Sequence, residues 1–301
     1  MDDRKYAGTA YNLELAGLIG PLRPKLHRYC ARMMGSAIEG EDVLQEALMK
    51  AVEAFTASMP LTNPEGWLFR IAHNTALDFL RRRRRIRAYE AAAEVETPAG
   101  LSPDVERRIA AAASLRTFMQ LPTRERSCVI LMDVLGHSLR EIHAVTQMSV
   151  PAIKAHLHRG RNRLRGFADS PVEKSAPVLS PQERERLSFY VEHFNARDFD
   201  VLRDRLADEV KAELVGQVVM QGRAEVSNYF GNYATEPRWH LRIGTFEGEA
   251  AVLVFDDRAA AASMPAYVVL LRWEGDRLVE IKDFRYARYI VDNADILACA
   301  E

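Results

Sequence analysis

Cysteine is scarce in this chain of 301 residues: Cys30, Cys128 and Cys299 stand far apart and in no C-x-x-C spacing. An odd, scattered set of three excludes a disulfide framework and a structural zinc site, so no metal or cofactor is expected. Long apolar runs are missing as well. Nothing approaches the ~18 uninterrupted apolar residues of a membrane helix, and the opening MDDRKYAGTA lacks the apolar stretch of a secretory signal. The chain is therefore expected to be cytoplasmic, with no membrane partner. A dominant charge is also absent, since 41 Lys and Arg face 42 Asp and Glu. What is present, 48% hydrophobic and 28% charged residues, is the balance of a folded chain long enough for two or three cores.

The near-neutral total hides an asymmetry. Residues 1–170 hold 25 Lys and Arg against 19 Asp and Glu, whereas residues 171–301 hold 16 against 23, so the halves carry +6 and −7. The two halves thus favour different partners. The positive excess gathers at Arg70 with Arg81, Arg82, Arg83, Arg84, Arg85 and Arg87, and again at Lys154, Arg159, Arg161, Arg163 and Arg165. Either run alone suits a solvated helix end or an import patch. Two runs, each ending an amphipathic helix, point to phosphate contacts along nucleic acid.

Periodicity is helical up to residue 90. Val43, Leu44, Ala47, Leu48, Ala51, Val52 and Phe55 form one apolar stripe that predicts a core-facing helix. Asn63 and Pro64 announce the next helix, which carries Leu68, Ile71, Ala72, Thr75 and Phe79 on one face before running into the arginines. From Ala88 to about Leu101 the pattern dissolves into Ala, Glu, Pro and Gly, which reads as a connector before a helix capped at Ser102-Pro103. Thr123 opens an apolar helix that stops at Gly136. Ser138-Leu-Arg-Glu141 is a capping box, and Ser149 with Pro151 opens a further helix to about Phe167. A second connector, ADSPVEKSAPVLS, ends in another capping box at Ser180-Pro-Gln-Glu183. After that helix, with Leu187, Tyr190, Val191 and Phe194 facing inward, strands are predicted at Trp239–Phe246, Ala250–Phe255, Tyr267–Trp273 and Leu278–Tyr286. Glu274-Gly-Asp276 is the hairpin turn between the last two.

Residues 121–165 have the layout of a helix-turn-helix, in which one helix braces the DNA backbone and the next presents its first residues to the major groove. Ile142 and Val145 would hold the bracing helix, and Ile153, Leu157 and Leu164 would bury the back of the recognition helix. Pro151, Ala152, Lys154, Ala155, His158 and Arg159 would form its open face. The bland alternative is a helical hairpin packed in a core, for which five cations in twelve residues are of little use.

At these residues the chain resembles the sigma-70-type transcription initiation factors of the extracytoplasmic function (ECF) group. Leu22 to Gly35 resembles the opening helix of the family's region 2, Glu41-Asp-Val-Leu-Gln-Glu46 its polymerase-binding segment, and Asn63 to Arg85 its promoter-melting segment. The helix-turn-helix stands as region 4, and the ordered set spans about half the chain. The resemblance implies that Asp42, Gln45 and Glu46 bind core RNA polymerase. It further implies that Trp67, Arg70, Asn74, Arg81, Arg82, Arg83, Arg84, Arg85, Lys154, His158, Arg159, Arg161 and Arg163 meet promoter DNA. Trp67 is either a core residue or a stacking platform for an unpaired base, and Asp78 is expected to pair with a neighbouring arginine. The chain departs from the family at His143, at Gln147-Met148 in place of a glycine-containing turn, and at Ala152, which bears on which upstream sequence is read.

The remainder is similar to SnoaL-like polyketide cyclases and nuclear transport factors, through Phe189 to Asp198, Gly222 to Val226 and Val279 to Tyr286. That likeness implies an α+β cone that modulates the factor's activity. Tyr190, His193, Tyr229, Trp239 and Asp283 are the candidate ligand-pocket residues, with Asp198 as a further acid. A satisfied core histidine and a surface aspartate are the competing reading.

The expected architecture is multidomain, with two all-α domains followed by an α+β SnoaL-like cone. Residues 1–90 form region 2, 91–113 a linker, 114–168 region 4, 169–180 a second linker and 181–301 the regulatory domain. The expected partners are core RNA polymerase and promoter DNA, with room for an anti-sigma factor or a small ligand, and no enzymatic activity is expected. Two alternatives stay open: a stand-alone helix-turn-helix regulator, and a bifunctional protein whose last domain is an isomerase or cyclase.

Overall fold

A computed structural model describes residues 3–55, 62–88, 115–168, 179–235, 238–256, 264–294 and 296–298. The helix expected at Ser102-Pro103, most of both connectors and Cys299 lie outside the described residues. The chain divides into two compact units, Met1–Val172 and Glu173–Glu301.

The described part of the first unit is helical: α1 (Asp3–Met34), α2 (Ala37–Ala54), α3 (Pro64–Ala88), α4 (Leu115–Met119), α5 (Thr123–Val129), α6 (Leu139–Thr146) and α7 (Val150–Ala168). The punctuation follows the sequence. Ser36 caps α2 by accepting from the Glu39 amide, and Asn63 caps α3 by accepting from the Gly66 amide at 2.9 Å. The Ser138–Glu141 capping box opens α6. α5 runs into a single π-type turn at Ile130–Val134 and stops at Gly136, whose φ of 77° lies in the left-handed region that a side chain disfavours. α1 and α2 cross so closely that a β-carbon on Gly40 would lie 2.5 Å from the Ala31 α-carbon, so only glycine fits there.

One continuous core joins the helices assigned by sequence to two separate domains. Tyr29, Cys30 and Met33 of α1, Val43 and Leu44 of α2 and Phe69 of α3 share a cluster with Phe118, Cys128, Ile130, Ile142 and Ile153. A buried cation ties the two groups of helices. Arg126 of α5 donates to the carbonyls of Met33 (2.6 Å), Met119 (3.1 Å) and Leu121 (2.9 Å), and burial lowers its guanidinium to about 10. The expected apolar stripe of α2 is correct at Val43, Leu44, Ala47, Leu48 and Ala51 but fails at Val52, which is 50% exposed. Val52 stands one position beyond Ala51, about 100° further round the helix, which carries it past the edge of the buried face.

The second unit is α+β. A seven-stranded sheet has the order β2-β1-β6-β5-β4-β3-β7. Its strands are β1 (Leu206–Leu214), β2 (Val218–Gln221), β3 (Trp239–Phe246), β4 (Glu249–Asp256), β5 (Tyr267–Glu274), β6 (Arg277–Asp283) and β7 (Ile296–Ala298). β1 and β6 are parallel, and the other pairs are antiparallel. α8 (Pro181–Asn195) packs on β3 and β4, α10 (Arg223–Ala234) packs on β1 and β2, and α9 (Phe199–Asp204) bridges the two helices. An aromatic core fills the space between helices and sheet, with Phe194 of α8 against Tyr233 of α10 (centroids 4.9 Å apart) and Trp239 against Tyr267 (5.3 Å). The last predicted strand is shorter than expected, ending at Asp283 rather than Tyr286.

Candidate functional site

The open side of α2 carries the residues expected to meet polymerase. Asp42 is exposed and Gln45 half-buried, and Met49 (65% exposed) and Val52 (50%) continue the same side down the helix. The next acid in the segment, Glu46, is engaged within the unit: its carboxylate accepts from Arg82 at 3.0 Å on both oxygens and pairs with Lys50 at 2.8 Å, contacts that hold its pKa down. Glu41 is fully buried and paired with Arg23 at 2.5 Å, which makes it a brace between α1 and α2. Met49 was missed from the sequence. Its signal was an apolar residue on the polar side of an amphipathic helix.

α3 sorts its arginines by partner. Arg81 pairs with Asp78 one turn earlier (2.9 Å), as expected of Asp78, while Arg82 reaches Glu46 and Arg83 reaches Glu39 at 2.7 Å. Arg70, Arg84 and Arg85 are exposed and meet no carboxylate among the described residues, and Asn74 is exposed beside them. Trp67 is half-buried against Phe55, with ring centroids 6.4 Å apart, and packs on the core. His73 of the same helix is buried with its Nδ1 2.6 Å from the Tyr29 hydroxyl, and burial pulls its imidazole down to about 4.

The helix-turn-helix has the expected internal face, with Ile142, Val145, Ile153, Leu157 and Leu164 all buried. On the open side of α7, Pro151, Lys154, Ala155, His158 and Arg159 are exposed, and Ala152 is half-buried. The cation cluster is less free than its sequence suggests. Arg159 pairs with Glu125 at 3.0 Å, Arg163 with the same carboxylate at 3.3 Å, and Arg161 with Asp133 through Nε at 2.9 Å. Arg165 is buried and donates to Asn162. The acids come from α5 and the π turn, more than twenty residues away, which is why a run with no acid inside it gave no sign of them. Lys154 has no acidic partner among the described residues, and His158 lies 3.2 Å from the Asn162 amide. The turn works without glycine: Gln147 takes φ 58°, its amide donates to the Ala144 carbonyl at 2.8 Å, and His143 Nδ1 lies 2.7 Å from the Met148 carbonyl.

In the second unit, four of the five expected pocket residues are buried in the aromatic core: Tyr190, Tyr229, Trp239 and Asp283. Asp283, at the end of β6, accepts from the hydroxyls of Tyr229 (2.9 Å) and Tyr233 (2.6 Å) and from the Arg285 amide (2.8 Å). The Tyr233 hydroxyl also meets that of Tyr267 at 2.9 Å. Burial pushes the Asp283 carboxyl up, against the pull of these donors, and pushes the tyrosines up with it. Tyr233 and Tyr267 were missed from the sequence, although Tyr229 and Tyr233 stand one turn apart on α10. Tyr190 Oη and Trp239 Nε1 are buried donors with no hydrogen-bond partner among the described residues. The fifth residue, His193, is only partly buried, tilted against Phe189 (centroids 4.5 Å apart) and 3.6 Å from the exposed Asp198, so these two form a separate pair at the surface.

Comparisons with known proteins bear on the first unit most directly. The family model described as Sigma-70 region 2 matches residues 18–86, and the one described as Sigma-70, region 4 matches residues 115–164. The RNA polymerase sigma factor CarQ of Myxococcus xanthus is 32% identical over 142 residues, covering 47% of this chain and 82% of that protein. The ECF RNA polymerase sigma factor SigG of Mycobacterium tuberculosis is 28% identical over 223 residues, which are 66% of this chain and 59% of SigG, so the match spans under two thirds of that relative. Among solved structures, the crystal structure of the Mycobacterium tuberculosis ECF sigma factor SigJ covers 87% of this chain and 93% of its own, at 17% identity and a TM-score of 0.34. With CarQ covered over most of its length and both sigma-70 regions matched in order, the chain belongs to the RNA polymerase sigma factors, in the ECF group.

Proposed function

We propose that this sigma factor directs core RNA polymerase to specific promoters in the cytoplasm and has no catalytic chemistry of its own. The supporting observation is the distribution of unpaired charge. Arg70, Arg84 and Arg85 on α3 and Lys154 on α7 face solvent without acidic partners among the described residues, while neighbouring arginines are spent on ion pairs that build the fold. Cations left open on two helices suit two separate stretches of phosphate backbone. Asp42 and Gln45, with Met49 and Val52 beside them, are the polymerase-docking side, where an apolar centre adds buried area and the acids add charge complementarity. Lys154, His158 and Arg159 are the groups that reach base edges or phosphates. Residues 1–90 and 114–168 act as regions 2 and 4. Residues 181–301, the acidic SnoaL-like domain, modulate activity, with an anti-sigma factor or a small ligand as a further partner.

The test is transcription in vitro from a genomic promoter library with core polymerase, with and without this chain. Promoter-specific transcripts that depend on the chain support the reading, and failure of core polymerase to capture it overturns the reading. Deleting residues 181–301 should alter output over a range of concentrations; identical transcription by both forms would remove the regulatory role.

A further inference from the structure

A cavity of about 520 Å³ lies inside the first unit, between α3 and the helices of region 4. Arg81 and Arg84 of α3 stand on one wall and Arg124 of α5 on the other, with Leu77, Leu80 and Met148 supplying apolar surface. No carboxylate among the described residues lines it. Arg81 is half-neutralised by Asp78 at 2.9 Å, but Arg84 and Arg124 meet no acid among the described residues. Other arginines of this unit that face another helix meet acceptors there, carboxylates for Arg82, Arg83, Arg159 and Arg161 and three carbonyls for Arg126. Arg84 and Arg124 line one cleft with no acidic partner among the described residues, and like charges facing one cleft without a counterion repel, a cost that an anion would offset. The volume falls in the range of roughly 300–1,000 Å³ typical of small-molecule sites.

We infer that this cleft binds a nucleoside polyphosphate, with its phosphates on Arg84, Arg124 and Arg81 and its base against Leu77, Leu80 and Met148. Guanidinium forks match phosphate oxygens bidentately, and the apolar wall distinguishes a nucleotide from a bare anion. Bound there, the ligand would bridge α3 to α5 and the turn after α6, and so would fasten region 2 to region 4. The site shares Arg84 with the promoter reading but rests on the geometry of the cleft. Capture by core polymerase, which needs no nucleotide, fails or succeeds separately.

The experiment is calorimetric titration of the full chain with ATP, GTP, inorganic triphosphate and a four-residue single-stranded oligonucleotide, with melting followed in parallel. The expected result is saturable binding of a nucleotide at least tenfold tighter than inorganic triphosphate, with a raised melting temperature for the helical unit. Arg84→Ala and Arg124→Ala should each weaken it about tenfold or more, while Arg140→Ala, an exposed arginine outside the cleft, should leave it unchanged. Absence of saturable binding overturns the inference, as does equal weakening by Arg140→Ala. Tighter binding of the oligonucleotide, lost with the same two substitutions, would also overturn it, by making the cleft part of a DNA track.

Discussion

The two units bury polar groups in opposite ways. The helical unit uses charges as pins between helices: Arg126 on three carbonyls, Arg23 on Glu41, Arg161 on Asp133. The α+β unit buries neutral hydroxyls around one carboxyl, Asp283. A helical bundle has orphan carbonyls at every helix end, and a long guanidinium can reach several at once, as Arg126 does at the ends of α1 and α4. A sheet satisfies its backbone within its own ladder, so the polar groups left inside are side chains that must satisfy one another.

Breaking the cation pin should give the largest effect. Arg126→Met keeps the volume but leaves the carbonyls of Met33, Met119 and Leu121 unpartnered, and the helical unit should lose about 3–5 kcal/mol in urea unfolding while the other unit melts unchanged. The counterpart is Asp283→Leu, which strands the Tyr229 hydroxyl and the Arg285 amide and leaves Tyr233 only its bond to Tyr267. A loss of about 3 kcal/mol confined to the α+β unit is expected, and a loss shared by both units would show that the comparison is false.

Acid should separate the units further. His73, lowered to about 4 by burial, and His27 and His137, lowered by the same cause, bind protons more readily when unfolded. Their contribution to the helical unit is therefore complete above the ordinary value near 6.5 and is lost as pH falls toward 4, His73 alone accounting for up to about 3 kcal/mol. Asp283 has the reverse sign. Its raised pKa means the folded form holds the proton longer, so its contribution is greatest in acid and declines as pH rises from 3.8 through the raised value. Melting the full chain between pH 4.5 and 7.5 should move the helical transition upward with pH, and His73→Gln should flatten that slope.

Much of this could be read from the residues. Caps at Asn63, Ser138 and Ser180 fixed helix starts because they are local chemistry, and four central strands followed from short runs rich in apolar, β-branched and aromatic residues. β1 was not legible because LADEVKAEL is composed of helix formers, and its strand state comes from pairing with β2 and β6, sixty or more residues away in the second case. The same distance hid the ion pairs of α7, whose cations were visible and whose acids lay on α5 and the π turn. Asp283 and Tyr229 were both legible as candidates, but the second donor, Tyr233, emerged only from the packing of α10 against the end of β6. Sequence displays the charge; the fold decides which charge is left over.

The smallest expected effect concerns the turn between α6 and α7. Gln147 holds φ 58°, a conformation in which its β-carbon crowds the backbone and which glycine adopts freely. Gln147→Gly removes that strain and the exposed bond from the Gln147 amide to Ala144, while adding freedom to the unfolded chain. Relief of the strain exceeds both losses, so the helical unit should gain about 0.5–1 kcal/mol in urea unfolding. His143 Nδ1 already meets the Met148 carbonyl across the same turn, so the backbone path stays fixed in the variant. A loss of stability would mean that the side-chain bond outweighs the backbone strain. The turn would then join the helical unit's other features as one held by side-chain reach rather than by local backbone preference.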